Sequence, residues 1–411
     1  MSRKQMLTKK VAHTLLAMSI VSASGLNMWA GTAWAADNNG ADGSDDIRNN
    51  VVISDAYNET VGGTADTDGK DGTQGNVAAA ESGGNGGKGG NASVSGTLTV
   101  NDSSKDVTLT VQGGKGGAAG GLNSNKAADL KVGNSGDGGS ASLNLAVGGG
   151  TVEVGALNLT AKAGNGGNKG TMPSGFDALD RVTGDSGGAG GDAVLTTGVN
   201  DGSLTAQSIT LAAAAGDATS GYGALSDKRG GVDSKGGDGG KAGNASVSGL
   251  VLSGQQAAVN VVAEITITAT GGKGGNGGST YGTAGLAAVG GAAEAYGLVA
   301  VDNGSYSVKF ADLTLKAIGG AGGEGGSSLI FNDVPNSSGE PYPNTDGAEG
   351  GKAEGKGLTV QAGMLQLEAN SISVTAAAGA GGAGRRKAAA GAGNDAGDTS
   401  ASAAGGSAPW V

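Results

Sequence analysis

Residues 358–376 read LTVQAGMLQLEANSISVTA. Leu358 and Val360, Leu365 and Leu367, and Ile372 and Val374 form three pairs of apolar residues, with seven residues from one pair to the next. Alternation over so few residues marks short, half-buried strands. The pattern recurs upstream. Leu143, Leu145 and Val147 lead to Val152 and Val154, then to Leu157 and Leu159. Val299 and Val301 lead to Tyr306, Val308 and Phe310, then to Leu313 and Leu315. Threonine fills many of the intervening positions, as β-branched residues do on a pleated surface.

Glycine-rich stretches follow each strand-like run: GGKGGAAGG from Gly113, AGNGGNKG from Ala163, GGKGGNGGS from Gly271 and GGAGGEGGSS from Gly319. Glycine is needed where φ is positive or where another backbone comes close. A small-Gly-x-Ala motif closes each such stretch, at Ala92, Ala141, Ala193, Ala245, Ala293, Ala353 and Ala408. The intervals are 49, 52, 52, 48, 60 and 55 residues. A kept interval of this length signals stacked repeats. Three strands of about seven residues make a coil of about 21, and each coil adds the inter-strand spacing of about 4.8 Å. The expected fold is therefore all-β: a glycine-rich parallel β-solenoid (β-helix) of about six degenerate repeats of about fifty residues. The glycine-rich half is a looser return or a second coil. The longest interval carries SSLIFNDVPNSSGEPYPNTDGAEGG from Ser327, which maps to a loop on one face.

The N-terminus reads MSRKQMLTKK, with Arg3, Lys4, Lys9 and Lys10 and no acid, then an apolar run from Val11 to Val21 and the small-residue site Ala33-Trp34-Ala35. This is a secretory signal, 1–35, too short in its apolar run to span a bilayer. The remaining boundaries are a polar disordered segment at 36–49, an N-terminal cap or first degenerate repeat at 50–92, the repeat solenoid at 93–408 and a tail at 409–411.

The signal takes four of the 26 Lys and Arg with it, leaving 22 against 37 Asp and Glu, a net charge of −15. So acidic a chain repels phosphate backbones, and nucleic acid is not expected as a partner. There is no cysteine, so thiolate metal sites and cysteine catalysis are excluded. Aromatic residues are 3% of the chain, too few for an ordinary globular core.

Thr183–Ala193 contains Gly184-Asp185-Ser186-Gly187-Gly188, the pentapeptide that surrounds the nucleophile of chymotrypsin-like proteases. That nucleophile needs a histidine base. The one histidine, His13, leaves with the signal. Residues 187–195 match the calcium nonapeptide GGxGxDxUx, with Asp192 in the ligand position. That motif works in tandem, and the equivalent places hold Asn91, Ser140, Asn244, Ala292 and Lys352, so a plain turn is expected. The two GGKGG stretches lack the GxxxxGK[ST] form of a phosphate loop. Arg385, Arg386 and Lys387 read as a solvated basic run. Tyr222, Tyr281, Tyr296, Tyr306 and Tyr342 are dispersed, with Tyr306 expected in the core. No catalytic, cofactor-binding or metal-ligating residue is assigned, and no enzyme activity or cofactor is expected.

LTVQAGMLQLEANSISVTA and GTLTVNDSSKDVTLTV from Gly96, with the long signal and the cysteine-free body, resemble the passenger regions of Gram-negative autotransporters and filamentous-haemagglutinin-like adhesins. The likeness is one of repeat style and covers most of 50–411. The last residues, GGSAPWV, contain no alternating strands of an outer-membrane barrel, so a truncated passenger, a fragment or export by a separate outer-membrane partner are the open readings. The resemblance implies a secreted, surface-located, non-enzymatic protein of a Gram-negative-type bacterium that binds a cell-surface or host-matrix ligand, protein or glycan. The alternative is a structural envelope or matrix protein whose GGx triplets, such as GGNGGKGGN at Gly83, pack as polyglycine-II-like helices.

Overall fold

A computed structural model describes residues 39–75, 82–121, 131–170, 184–223, 235–280, 283–327 and 345–384. The signal, His13, Ala408, Arg385–Lys387, Tyr281, Tyr342 and most of the 327–351 insertion lie outside them. Among the described residues every regular element is a strand. In chain order the strands are β1 (Asp46–Ile53), β2 (Tyr57–Gly62), β3 (Ala92–Leu98), β4 (Val107–Gln112), β5 (Ala141–Gly148), β6 (Thr151–Lys162), β7 (Ala193–Asn200) and β8 (Ser203–Ala214). They continue with β9 (Ala245–Ser253), β10 (Gln256–Val261), β11 (Glu264–Thr270), β12 (Ala293–Ala300), β13 (Ser305–Ile318), β14 (Ala353–Val360) and β15 (Met364–Ala377).

The chain alternates between two sheets. One runs β1-β3-β5-β7-β9-β12-β14; the other contains β2, β4, β6, β8, β11, β13 and β15, with β10 bridging β8 and β13. Every pairing between named strands is parallel. The alternating apolar residues fall into register as columns. Val107, Leu157, Ile209, Ile265 and Leu313 are successive partners, as are Leu109, Leu159, Leu211, Ile267 and Leu315, all essentially inaccessible to solvent. Ala92, Ala141, Ala193, Ala245, Ala293 and Ala353 also form one column of direct partners. The motif that punctuates the sequence therefore marks a single place in the first sheet. One continuous apolar cluster of Val, Leu, Ile and Ala fills the space between the sheets.

The sequence suggested three short strands per coil; in the structure two strands, one in each sheet, separate successive glycine-rich stretches, except that β9, β10 and β11 make three. Leu365, Leu367, Ile372 and Val374 lie on one fourteen-residue strand, β15, and β6 and β13 likewise span two apolar pairs. The reason is local. A left-handed residue interrupts the chain between the two sheets, at Gly149, Asp201, Gly254 and Gly363, but none lies inside β6, β13 or β15. Asp201 takes this conformation at φ 48° and its carboxylate receives the N–H groups of Gln255 (2.5 Å) and Gln256 (3.2 Å).

The glycine-rich stretches are not a second β coil. Their hydrogen bonds recur every third residue. Gly84, Gly87 and Gly90 donate to the carbonyls of Thr73, Lys70 and Thr67 at 2.7–2.9 Å, an antiparallel neighbour. Gly83, Gly86 and Gly89 donate to Lys131, Asn134 and Asp137 at 2.8–2.9 Å, a parallel neighbour. The N–H of the third residue, at Asn85, Lys88 and Asn91, goes to the side-chain oxygens of Asn39, Asp42 and Asp45 at 2.7–2.8 Å. This is the pattern of chains with three residues per turn and no hydrogen bonds within the chain. A Cβ on Gly86 would lie 2.0 Å from the Gly117 carbonyl oxygen, and one on Gly87 would lie 2.0 Å from that of Ala41. Only glycine allows the approach.

Residues 36–49 were expected to be disordered. Those described are not: 39–45 supply the acceptors just named and β1 begins at Asp46. Their polarity has another cause. Asp46 sits in the alanine column, Arg48 beside Val94, Tyr57 beside Val107 and Glu59 beside Leu109. Arg48 pairs with Asp46 and Glu59, and the Tyr57 hydroxyl donates to Glu59. The Tyr57 hydroxyl and Arg48 hold the Glu59 carboxyl below its usual range, while burial and then Glu59 push Tyr57 up. A charged plug thus closes the apolar columns at the β1–β2 end, as capping of stacked structures requires.

Thr197 is the exception inside the core. It lies between Leu145 and Leu250 and its hydroxyl has no hydrogen-bond partner. Thr197→Val should raise stability by about 1 kcal/mol, because an unsatisfied hydroxyl is removed at nearly constant shape. Gly87→Ala should lower it by about 1–3 kcal/mol through overpacking. Urea unfolding followed by circular dichroism measures both, and an unchanged midpoint for Gly87→Ala would contradict the close glycine contacts.

Candidate functional site

The residues that looked chemically suggestive in the sequence occupy the glycine layer. Ser186 takes the third place of a triplet: its N–H donates to Asn134 Oδ1 at 3.1 Å and its carbonyl receives the Ser135 N–H at 3.2 Å. Asp192 has the same place two triplets further along the same stretch. Its N–H reaches Ser140 Oγ at 3.4 Å and its Oδ1 receives the Asn244 N–H at 2.7 Å. Asn91, Ser140, Asp192 and Asn244 therefore form a ladder in which each side chain accepts the next backbone N–H. Ala292 ends it by donating to Asn244 at 2.9 Å. The Asp in the calcium-like nonapeptide and the Ser in the protease-like pentapeptide are spacers in one hydrogen-bonded array.

Lys115 and Lys273 likewise offer their backbone N–H to Asp68 (2.7 Å) and Asp217 (2.8 Å). Tyr306 is buried, and its hydroxyl lies 3.2 Å from the carbonyl oxygens of Gly254 and Asp302. The Lys169 ammonium lies 5.6 Å from the centre of the Tyr222 ring, and that of Lys356 lies 5.3 Å from Tyr296. Among the described residues no three Asp, Glu or His side chains converge as metal ligands would. An open groove of about 450 Å³ runs past Gly149, Asp201, Ser203 and Gln256. Its one charged group, Asp201, is already bound to backbone N–H groups.

Two features of the structure stand apart. The first is the outer face of the second sheet. Thr108, Asn158, Thr210, Thr266, Thr314 and Ser373 are successive partners there, and Thr110, Thr160, Ala212, Thr268, Lys316 and Thr375 form the neighbouring column. The hydroxyls recur at the strand spacing of about 4.8 Å in one direction and at about 6.6 Å, two residues, in the other. The sequence signal was the recurrent Thr-x-Thr, visible at Thr108, Thr266 and, as Ser-x-Thr, at Ser373.

The second is Asp185. In its row it stands where Gly237 and Gly285 stand in the following rows: a Cβ on Gly237 would fall 1.5 Å from the Asp185 carbonyl oxygen. Its side chain is wholly buried. Oδ2 lies 3.3 Å from the Gly170 N–H and 3.4 Å from Ser135 Oγ, and Oδ1 has no partner. Burial pushes its pKa up to about 6, against the hydrogen bonds from Gly170, Tyr222 and Ser135 that favour the charged form. Nearby, Thr219 also replaces an inward glycine but is satisfied, accepting from Gly188 and donating to Gly167, both at 2.8 Å. An acid at an interior triplet position, among glycines, is the signal that could have exposed Asp185 in the sequence.

Comparison with known family models, curated proteins and solved structures finds no match.

Because the Asp185 carboxyl holds its proton more tightly when folded, it favours folding fully below its ordinary value of 3.8 and loses that contribution as pH rises through about 6. Asp185→Asn should gain stability over the wild type as pH goes from 4 to 7, by on the order of 2–3 kcal/mol. Parallel urea titrations at the two pH values test this. A difference that does not change with pH would show that Asp185 ionises freely.

Proposed function

We propose that this chain is an exported, non-enzymatic surface protein whose described residues form a β-solenoid of six degenerate repeats. It is presented at the surface of a Gram-negative-type bacterium as an adhesin or autotransporter-type passenger. The ligand class is a cell-surface or host-matrix protein or glycan. The fifty-residue interval of the anchor alanines and their single register column support the repeat reading. The signal-like N-terminus supports export.

The observation that carries the binding role is the ordered face of Thr, Ser and Asn on the second sheet. Identical weak contacts repeated along a fixed lattice sum by multivalency, which suits a polymeric or densely displayed ligand. The hydroxyls are neutral and mostly half-buried.

A second reading is favoured by one observation, the period-three hydrogen bonding of the glycine layer. It supports a structural role in an envelope or matrix, with triplets packing between molecules as they pack within one.

Protease shaving of intact producing cells, with mass spectrometry of the released peptides, separates these. Surface display predicts peptides from 50–384 in the supernatant of intact cells. Release that requires permeabilising the outer membrane would overturn display and leave the envelope-matrix reading.

A further inference from the structure

An asparagine followed by glycine is open to attack by its own chain, because glycine leaves the next backbone nitrogen unshielded and able to turn toward the side-chain amide. The sequence has five such steps: Asn39-Gly40, Asn85-Gly86, Asn165-Gly166, Asn276-Gly277 and Asn303-Gly304. The first four lie in the glycine layer and share one arrangement. The glycine N–H donates to the carbonyl of a residue in a neighbouring row, and the N–H of that same residue donates to the asparagine Oδ1. The residue is Asn85 for Asn39-Gly40, at 2.7 and 2.8 Å, and Asn134 for Asn85-Gly86, at 2.9 and 2.8 Å. It is Asp217 for Asn165-Gly166, at 3.0 and 2.9 Å, and Glu324 for Asn276-Gly277, at 2.9 and 2.8 Å. One backbone unit thus clamps the attacking nitrogen and the amide it would attack. The fifth step is different. Asn303 is exposed on the bend between β12 and β13, and among the described residues no hydrogen bond engages its side chain or the Gly304 N–H.

We propose that Asn303 is a modification site, at which the folded chain deamidates, and that the glycine layer holds its own four Asn–Gly steps against the same reaction. The Gly304 nitrogen loses its proton and bonds to Asn303 Cγ, and the side-chain nitrogen leaves as ammonia. Water then opens the cyclic imide at either carbonyl, giving aspartate or isoaspartate. Gly304 is buried against the Tyr306 ring and the Gly254 carbonyl, so the bend must open for the attack, but that opening breaks no hydrogen bond of the attacking N–H. At the four clamped steps two hydrogen bonds to the next row must break first. The product bears on a structural anchor. Asp302 receives the Gly254 N–H at 3.1 Å on its carboxylate and lies 3.2 Å from the Tyr306 hydroxyl at its carbonyl. A new carboxylate beside Asp302 adds like charge, and isoaspartate lengthens the backbone between Asp302 and Tyr306 by one atom. The proposal makes no use of the binding face described above and stands or falls separately from it.

Timed incubation of the folded full chain in mildly alkaline buffer tests the proposal. Samples are digested in mild acid, where the backbone nitrogen stays protonated, and peptide fragmentation assigns the amide-to-carboxylate mass change to each asparagine. A parallel incubation in concentrated urea gives the rate of each step in the unfolded chain. In urea the five steps should convert at similar rates. In the folded chain Asn303 should convert at least about tenfold faster than Asn39, Asn85, Asn165 and Asn276, because opening a clamp breaks two hydrogen bonds. Asn303→Gln should abolish the fast conversion and leave the other four rates unchanged, which assigns the signal to that side chain. Conversion of Asn303 no faster than that of the clamped asparagines would overturn the proposal. So would conversion of all five in the folded chain at the rates seen in urea, because the clamps would then protect nothing.

Discussion

A glycine triplet in an extended, three-residue-per-turn chain makes no hydrogen bonds to itself, so each of its three N–H groups must be received elsewhere. In this protein two go to backbone carbonyls of flanking segments, one antiparallel and one parallel, and the third to an Asn, Asp or Ser side chain of the preceding row. Both glycines lie within contact distance of a neighbouring carbonyl, which excludes a larger side chain at most of these places, Asp185 and Thr219 being exceptions. The third residue faces outward and is free to vary, provided enough of its kind are short acceptors. The composition of the chain follows: abundant glycine, many Asn and Asp, and few aromatics.

That layer fixes the row spacing, and the sheets share it. Stacked parallel strands keep like residues over like, so a Leu or Ile at one level is sealed by those above and below. A core with almost no aromatic residues can close because each apolar residue needs to reach only its vertical neighbours. The same geometry explains why the ends matter. A column has no lateral way to hide its last member, so it must finish in groups that tolerate water or meet another surface. Asp46, Arg48 and Glu59 are the first solution.

The alanine motif and the period-two runs were legible in the sequence because each is a local pattern with one physical meaning. The columns of Leu109 and Val107 could be written down from them. The length of β6, β13 and β15 could not, since a strand passing through Ala156 or Asn370 and a strand turning there differ only by a backbone angle. Polyglycine-like packing and a parallel β fold stood as rivals in the sequence, and both hydrogen-bond patterns occur in one chain. Asp42 and Asp45 looked like solvated residues because their partners, the N–H groups of Lys88 and Asn91, lie 46 residues away. Asp185 and Ser186 were read through a borrowed motif. In the structure one is a buried acid in a glycine's place and the other a rung of a ladder.

The account rests on the glycine triplets being hydrogen-bonded as fully as the strands. Amide hydrogen exchange of the folded chain, resolved by residue, measures this directly. The N–H groups of Gly84, Gly86 and Gly87 should be protected to the same order as those of Leu109 and Leu159. Exchange of those glycines at the rate of a free chain, with the strands still protected, would contradict a bonded glycine layer and leave two sheets joined by loose connections.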